Sequence, residues 1–180
     1  FAEIPHKLVP QKTLKDLAHD FYHSRVEGGE GHLEVGKSIY YTVNNLCHMV
    51  LSLKPFGCMP STQSDGVQSA VSSKFKDMIF LPIETSGEGD VNAHSRVQMA
   101  LGEAKAKAKL EYADCVKKSG YELSEIKDYI KNHSELQEPF IHISHRKGIA
   151  GLGANFILDV AERMKREGVK SSKMTEQAAA

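Results

Sequence analysis

"HMVLSLKPFGCMPST" runs from His48 to Thr62, and the reading of its first six residues decides the fold class. "HMVLSL" (48–53) is a short apolar run with turn residues directly behind it, the pattern of a buried strand. "DMIFLPIE" (77–84) repeats the pattern, and the residues between, from Asp65 to Phe75, predict a small helix opening near Gly66. Strand, helix, strand and helix in that order, with apolar strands, predict an α/β protein with a parallel sheet and right-handed crossovers. Two short parallel strands do not bury both faces by themselves, so the sheet is expected to be completed elsewhere. The chain therefore reads as a partial parallel sheet with flanking helices, a piece of a larger Rossmann-like protein. Its first residue is Phe1 rather than Met, and it is expected to be processed, trimmed or part of something longer.

Outward from these strands the periodicity is helical. Leu14, Leu17, Ala18, Phe21, Tyr22 and Val26 predict an amphipathic helix over 11–26 with Thr13 as N-cap. "EGGEG" (27–31) breaks it, and Leu33 to Leu46 reads as the next helix. A long helix rich in Ala, Lys, Glu and Leu is predicted from Val91 to Lys118, with Asp90 as its cap and Gly120 as its end. A further helix over 123–133 takes Ser124 as cap, "PFIHIS" (139–144) is expected as a strand, and Ala154 to Arg166 as a last helix. One α/β domain over 1–168 and a frayed tail over 169–180 follow.

Composition excludes several classes of function. Lys+Arg and Asp+Glu balance at 23 each, so no charge excess recruits nucleic acid or an anionic membrane. No apolar run approaches the roughly 20 residues that a bilayer requires. Cys47, Cys58 and Cys115 are odd in number and widely spaced, which argues against a secreted disulfide framework and for a reducing cytoplasm.

In a parallel sheet, functional loops lie at the carboxyl ends of the strands. Here these are "KPFGCMPST" after the first strand and "TSGEGD" (85–90) after the second. Pro55 and Pro60 restrict the backbone around Cys58, and Gly57 permits positive φ. Such a loop holds a sulfur in one place, which suits a thiolate ligand, although a tight turn that merely contains a cysteine fits the local pattern as well. Cys47 and Cys115 read as core residues, Cys115 sharing a stripe with Val97, Leu101, Ala104 and Ala108. Arg96 is placed to reach back towards the second loop or to sit in a surface salt bridge. "GHLEVGKS" (31–38) satisfies the spacing of a phosphate-binding P-loop, but no buried strand precedes it, and Glu34 would put a carboxylate in the cradle. His142 and His145 would point to opposite faces of the expected strand, a poor start for joint metal ligation. "GIAGLGAN" (148–155) departs from G-x-G-x-x-G at Phe156.

"PFGCMPS", "SDGVQSA" and "IETSGEGDVNAHSRVQM", taken with "GEGHLEVGKSIYYT", resemble the activase-related, dehydratase D-component-like proteins of the 2-hydroxyacyl-CoA dehydratase and benzoyl-CoA reductase system. The resemblance runs from about Gly29 to Ala113. It implies that Cys58 is one cysteine ligand of an iron–sulfur cluster, of the 4Fe–4S kind, with the other ligands upstream of this chain. Clusters take about four thiolates, so the chain by itself is not expected to hold one stably. Gly57, Glu84 and Arg96 become cofactor-site residues that shape the loop and the neighbouring wall. The implied partners are the upstream part of the same protein or a homologous subunit, an ATP-hydrolysing activator, and an acyl-CoA that receives a low-potential electron. A non-catalytic docking or scaffold domain of the same system, and a P-loop nucleotide hydrolase, are the alternatives.

Overall fold

Val50–Pro55 (β1) and Phe80–Thr85 (β2) pair in parallel, with Val50 beside Phe80 and Pro55 beside Thr85. Parallel neighbours need a crossover, and Met59–Lys74 (α3) supplies it. The computed structural model describes residues 8–26, 29–85 and 90–172. Gln11–Ala18 (α1) and Gly31–Val43 (α2) precede the sheet, and Asp90–Ser119 (α4), Leu123–Lys131 (α5) and Leu152–Arg166 (α6) follow it. The protein is thus mixed helix and strand, a two-stranded parallel sheet with flanking helices. No helix among the described residues is long and apolar enough to cross a membrane.

The chain divides into two compact units, Phe1–Ala106 and Lys107–Ala180, where one domain over 1–168 was expected. In the first, Ala18, Tyr22, Val35, Ile39 and Val71 make the core. Gly36 lets α1 and α2 approach backbone to backbone, since a Cβ there would lie 2.4 Å from the Leu14 carbonyl oxygen. In the second unit Tyr121, Ile126, Ile157, Val160 and Met164 pack together. Full burial of each such aliphatic side chain stabilises by about 1.5–3 kcal/mol.

Several boundaries differ from the sequence reading, each for a local reason. The first helix ends at Ala18 and loosens into turns, with the Phe21 and Tyr22 amides both donating to the Ala18 carbonyl, and its N-cap is Pro10 rather than Thr13. α3 begins at Met59, not Asp65, because Pro60 stands in the first turn, where its missing N–H costs nothing. α5 is capped by Glu122, whose amide donates to the Glu125 carboxylate at 2.6 Å, not by Ser124. Residues 139–144 form no strand: Ile141 N–H donates back to the Glu138 carbonyl in a turn, and Ser144 N–H to the Asp159 carboxylate. The start of the expected tail is anchored, through Tyr121 Oη donating to the Val169 carbonyl and Ser171 Oγ to that of Gly120. Residues 173–180 lie outside the described residues, as does most of "TSGEGD".

Candidate functional site

β1 is amphipathic in an inverted sense. Its alternate residues Ser52 and Lys54 point inward, while Leu51 and Leu53 point outward. Lys54 is 3% exposed, and Leu53 65%. The lysine ammonium lies between two carboxylates, donating to Glu34 at 3.0 Å and to Asp65 at 2.5 Å. Ser52 and Ser64 donate to the two oxygens of Glu34 at 2.6 and 2.5 Å. α2, α3 and β1 are therefore tied together by one polar cluster at the carboxyl end of the strand. Burial alone would raise the Glu34 carboxyl, but the hydrogen bonds from Ser52, Ser64 and Lys54 and the lysine's charge outweigh it and hold the group below its ordinary range. Burial would likewise depress the Lys54 ammonium, and its bonds to Asp65 and Glu34 prevail and raise it. None of this cluster is a site residue on the sequence reading. The available signal was a lysine two residues from a serine in an otherwise apolar strand.

Beyond the lysine the strand ends in a turn, with Cys58 N–H donating to the Pro55 carbonyl at 3.2 Å. Gly57 has φ 72°, and nothing lies within 4 Å of where its Cβ would be, so the left-handed backbone alone calls for glycine. Cys58 is the N-cap of α3, and its carbonyl accepts from the Thr62 amide at 2.9 Å and the Thr62 hydroxyl at 3.0 Å. The residue is half-buried and its thiol is free. Cys58 thus lies just past the carboxyl end of a parallel strand, at the start of α3. Burial pushes up the thiols of Cys47 and Cys115.

The second strand end carries Glu84, exposed and in register with Lys54. Arg96 Nη2 donates to the Pro82 carbonyl at 2.9 Å, so the guanidinium is directed to the strand backbone. Glu84, Arg96, Asn92 and Asp65 line an open cavity of about 420 Å³. Asp65 joins the two features, one oxygen on the buried lysine and its side chain on the cavity wall. Gly57 and Cys58 are not among the residues lining that cavity.

Among the described residues, no three or more His, Cys, Asp or Glu are grouped to hold a metal ion. In the first unit Cys47 precedes β1 and Cys58 follows it, with the six-residue strand between them. Residues 31–38, the P-loop-like motif, lie wholly within α2. Their amides follow the helix rather than a phosphate cradle, and Gly36 serves the contact with Leu14. No protein-family model, no curated protein and no solved structure matches the chain.

Proposed function

We propose that the chain forms one wall of an iron–sulfur site in a protein of the 2-hydroxyacyl-CoA dehydratase and benzoyl-CoA reductase activation system, a cytoplasmic Rossmann-like protein whose sheet further strands complete. The observation that supports this most is Cys58, a free, half-buried thiol fixed at the carboxyl end of a parallel strand by Gly57 and the first turn of α3. In this reading Cys58 gives one thiolate, and the upstream part of the protein or a homologous subunit gives the rest. Gly57 holds the turn, while Glu84 and Arg96 form the adjoining wall. The bound cluster supplies low-potential electron transfer, fed by an ATP-hydrolysing activator and directed to an acyl-CoA. The residues present fit the role of a contributing wall and not of a complete site, since a cluster needs about four thiolates.

A docking or scaffold role is favoured by a different observation. Leu51, Leu53, Phe56 and Met59 are all exposed along and just beyond β1, a strip of apolar side chains of the kind that partner surfaces cover. Iron and acid-labile sulfide analysis of the anaerobically isolated natural protein, with its partner polypeptides, separates the two. Cys58→Ser lowers both contents if the thiol is a ligand, and leaves them unchanged if the domain only docks.

A further inference from the structure

The second unit contains a groove of about 650 Å³ whose construction is independent of the reading of Cys58. One side is α6. The other is the irregular chain that follows the 3-10 turn Ser134–Gln137. Ion pairs clamp both ends of this chain to the helix. At the near end Arg163 binds Glu135, and it also binds Glu167 at 3.1 Å. At the far end Arg146 reaches Asp159 at 2.6 Å and Glu162 at 2.9 Å, while Ser144 N–H donates to Asp159 at 2.8 Å. Ile141, Phe156 and Val160 give the space between the clamps an apolar lining.

The charges around the groove are unequally committed. Asp159 and Glu162 are both engaged by Arg146, and Arg163 by its two glutamates. The side chains of Lys165 and Arg166 also line the groove, and neither has a hydrogen bond or ion pair among the described residues. Cations in the last turn of a helix complement its dipole. That role does not require them to border a recess of ligand size with an apolar strip in its wall, and pockets for small molecules span about 300–1,000 Å³. We propose that this groove binds a small amphiphilic carboxylate, its hydrocarbon or aromatic body on Leu136, Ile141 and Phe156 and its head group against Lys165 and Arg166. Arginine's planar fork matches a carboxylate, and the ion pairs fix the irregular chain on α6 before the ligand arrives, so little ordering opposes binding.

The test is a two-dimensional NMR titration of the full 180-residue chain with sodium decanoate below its micelle concentration. Saturable shifts are expected at the amides of Ile141, Ser144, Phe156 and Val160, with decyltrimethylammonium giving none. The Lys165→Gln/Arg166→Gln variant changes two exposed side chains and should weaken decanoate binding at least about fivefold. Shifts centred instead on Leu53 and Phe56, an unchanged affinity in the double variant, equal binding of the cationic amphiphile, or no saturable shift would each overturn the proposal.

Discussion

Replacing Lys54 by Met removes the one cation held between Glu34 and Asp65 and keeps most of the apolar stem. Its side chain is 2% exposed, against 16% for Glu34 and 34% for Asp65. Removing one partner of a buried ion pair costs about 3–5 kcal/mol, because the charge left behind is uncompensated. Asp65 can rehydrate through the cavity it lines, so the lower end, about 3 kcal/mol, applies to the first unit. With a urea slope of about 1.5 kcal/mol/M, the midpoint of that unit's unfolding, followed by far-UV circular dichroism, should fall by about 2 M. The pH dependence adds a sign. The folded Glu34 carboxyl lies below its ordinary value, so its stabilisation is present above the unfolded value of about 4.3 and is lost as pH falls through the folded one. The folded Lys54 ammonium lies above its ordinary value. Its stabilisation is therefore present below about pH 10.4 and lost as pH rises through the folded value. The gap between the natural protein and Lys54→Met should accordingly be widest from about pH 5 to pH 10 and close on both sides. Adding Glu34→Gln should recover at least about 1 kcal/mol of the loss. A Lys54→Met protein within about 0.5 kcal/mol of the natural one across that range would refute the placement of the ammonium between the two acids.

Gly57→Ala should cost about 1–2 kcal/mol from the left-handed backbone alone, because the site has open space. Gly36→Ala drives a Cβ against the Leu14 carbonyl, so its denaturation midpoint should fall well below that of Gly57→Ala. In the second unit, Glu111 accepts from the amides of Ala150 and Gly151 at 2.9 and 2.7 Å, just ahead of α6. Glu111→Ala should cost about 2–3 kcal/mol by thermal or urea unfolding. Lys37→Ala, an exposed change within α2, should leave both stability and nucleotide binding as they were, checked by calorimetric titration with ATP.

The architecture of the first unit was legible because its strands are short, apolar and bounded by turn residues, and because parallel pairing follows once a helix lies between them. The inversion of β1 was hidden. "VLSLKP" read as a buried run conceals that Ser52 and Lys54 are the inward residues, and their partners Glu34 and Asp65 lie on two different helices. The positive φ of Gly57 was legible because a glycine between two prolines at a strand end is a local turn signal. Arg96 donates to the Pro82 carbonyl, a backbone partner that no side-chain pattern in the sequence indicates. The false strand at 139–144 has alternating apolar residues, but its amides at Ile141 and Ser144 are taken by the Glu138 carbonyl and the Asp159 carboxylate, which alternation does not reveal. The P-loop pattern failed for the converse reason: its spacing is met, yet every residue of it is helical.

Differential alkylation of the anaerobically isolated natural protein, read residue by residue by mass spectrometry before and after iron chelation, tests the assignment of Cys58 most directly. Cys58 should resist iodoacetamide until the iron is removed and then label readily, while Cys47 labels equally in both conditions. Equal labelling of Cys58 with and without iron would contradict its role as a cluster ligand.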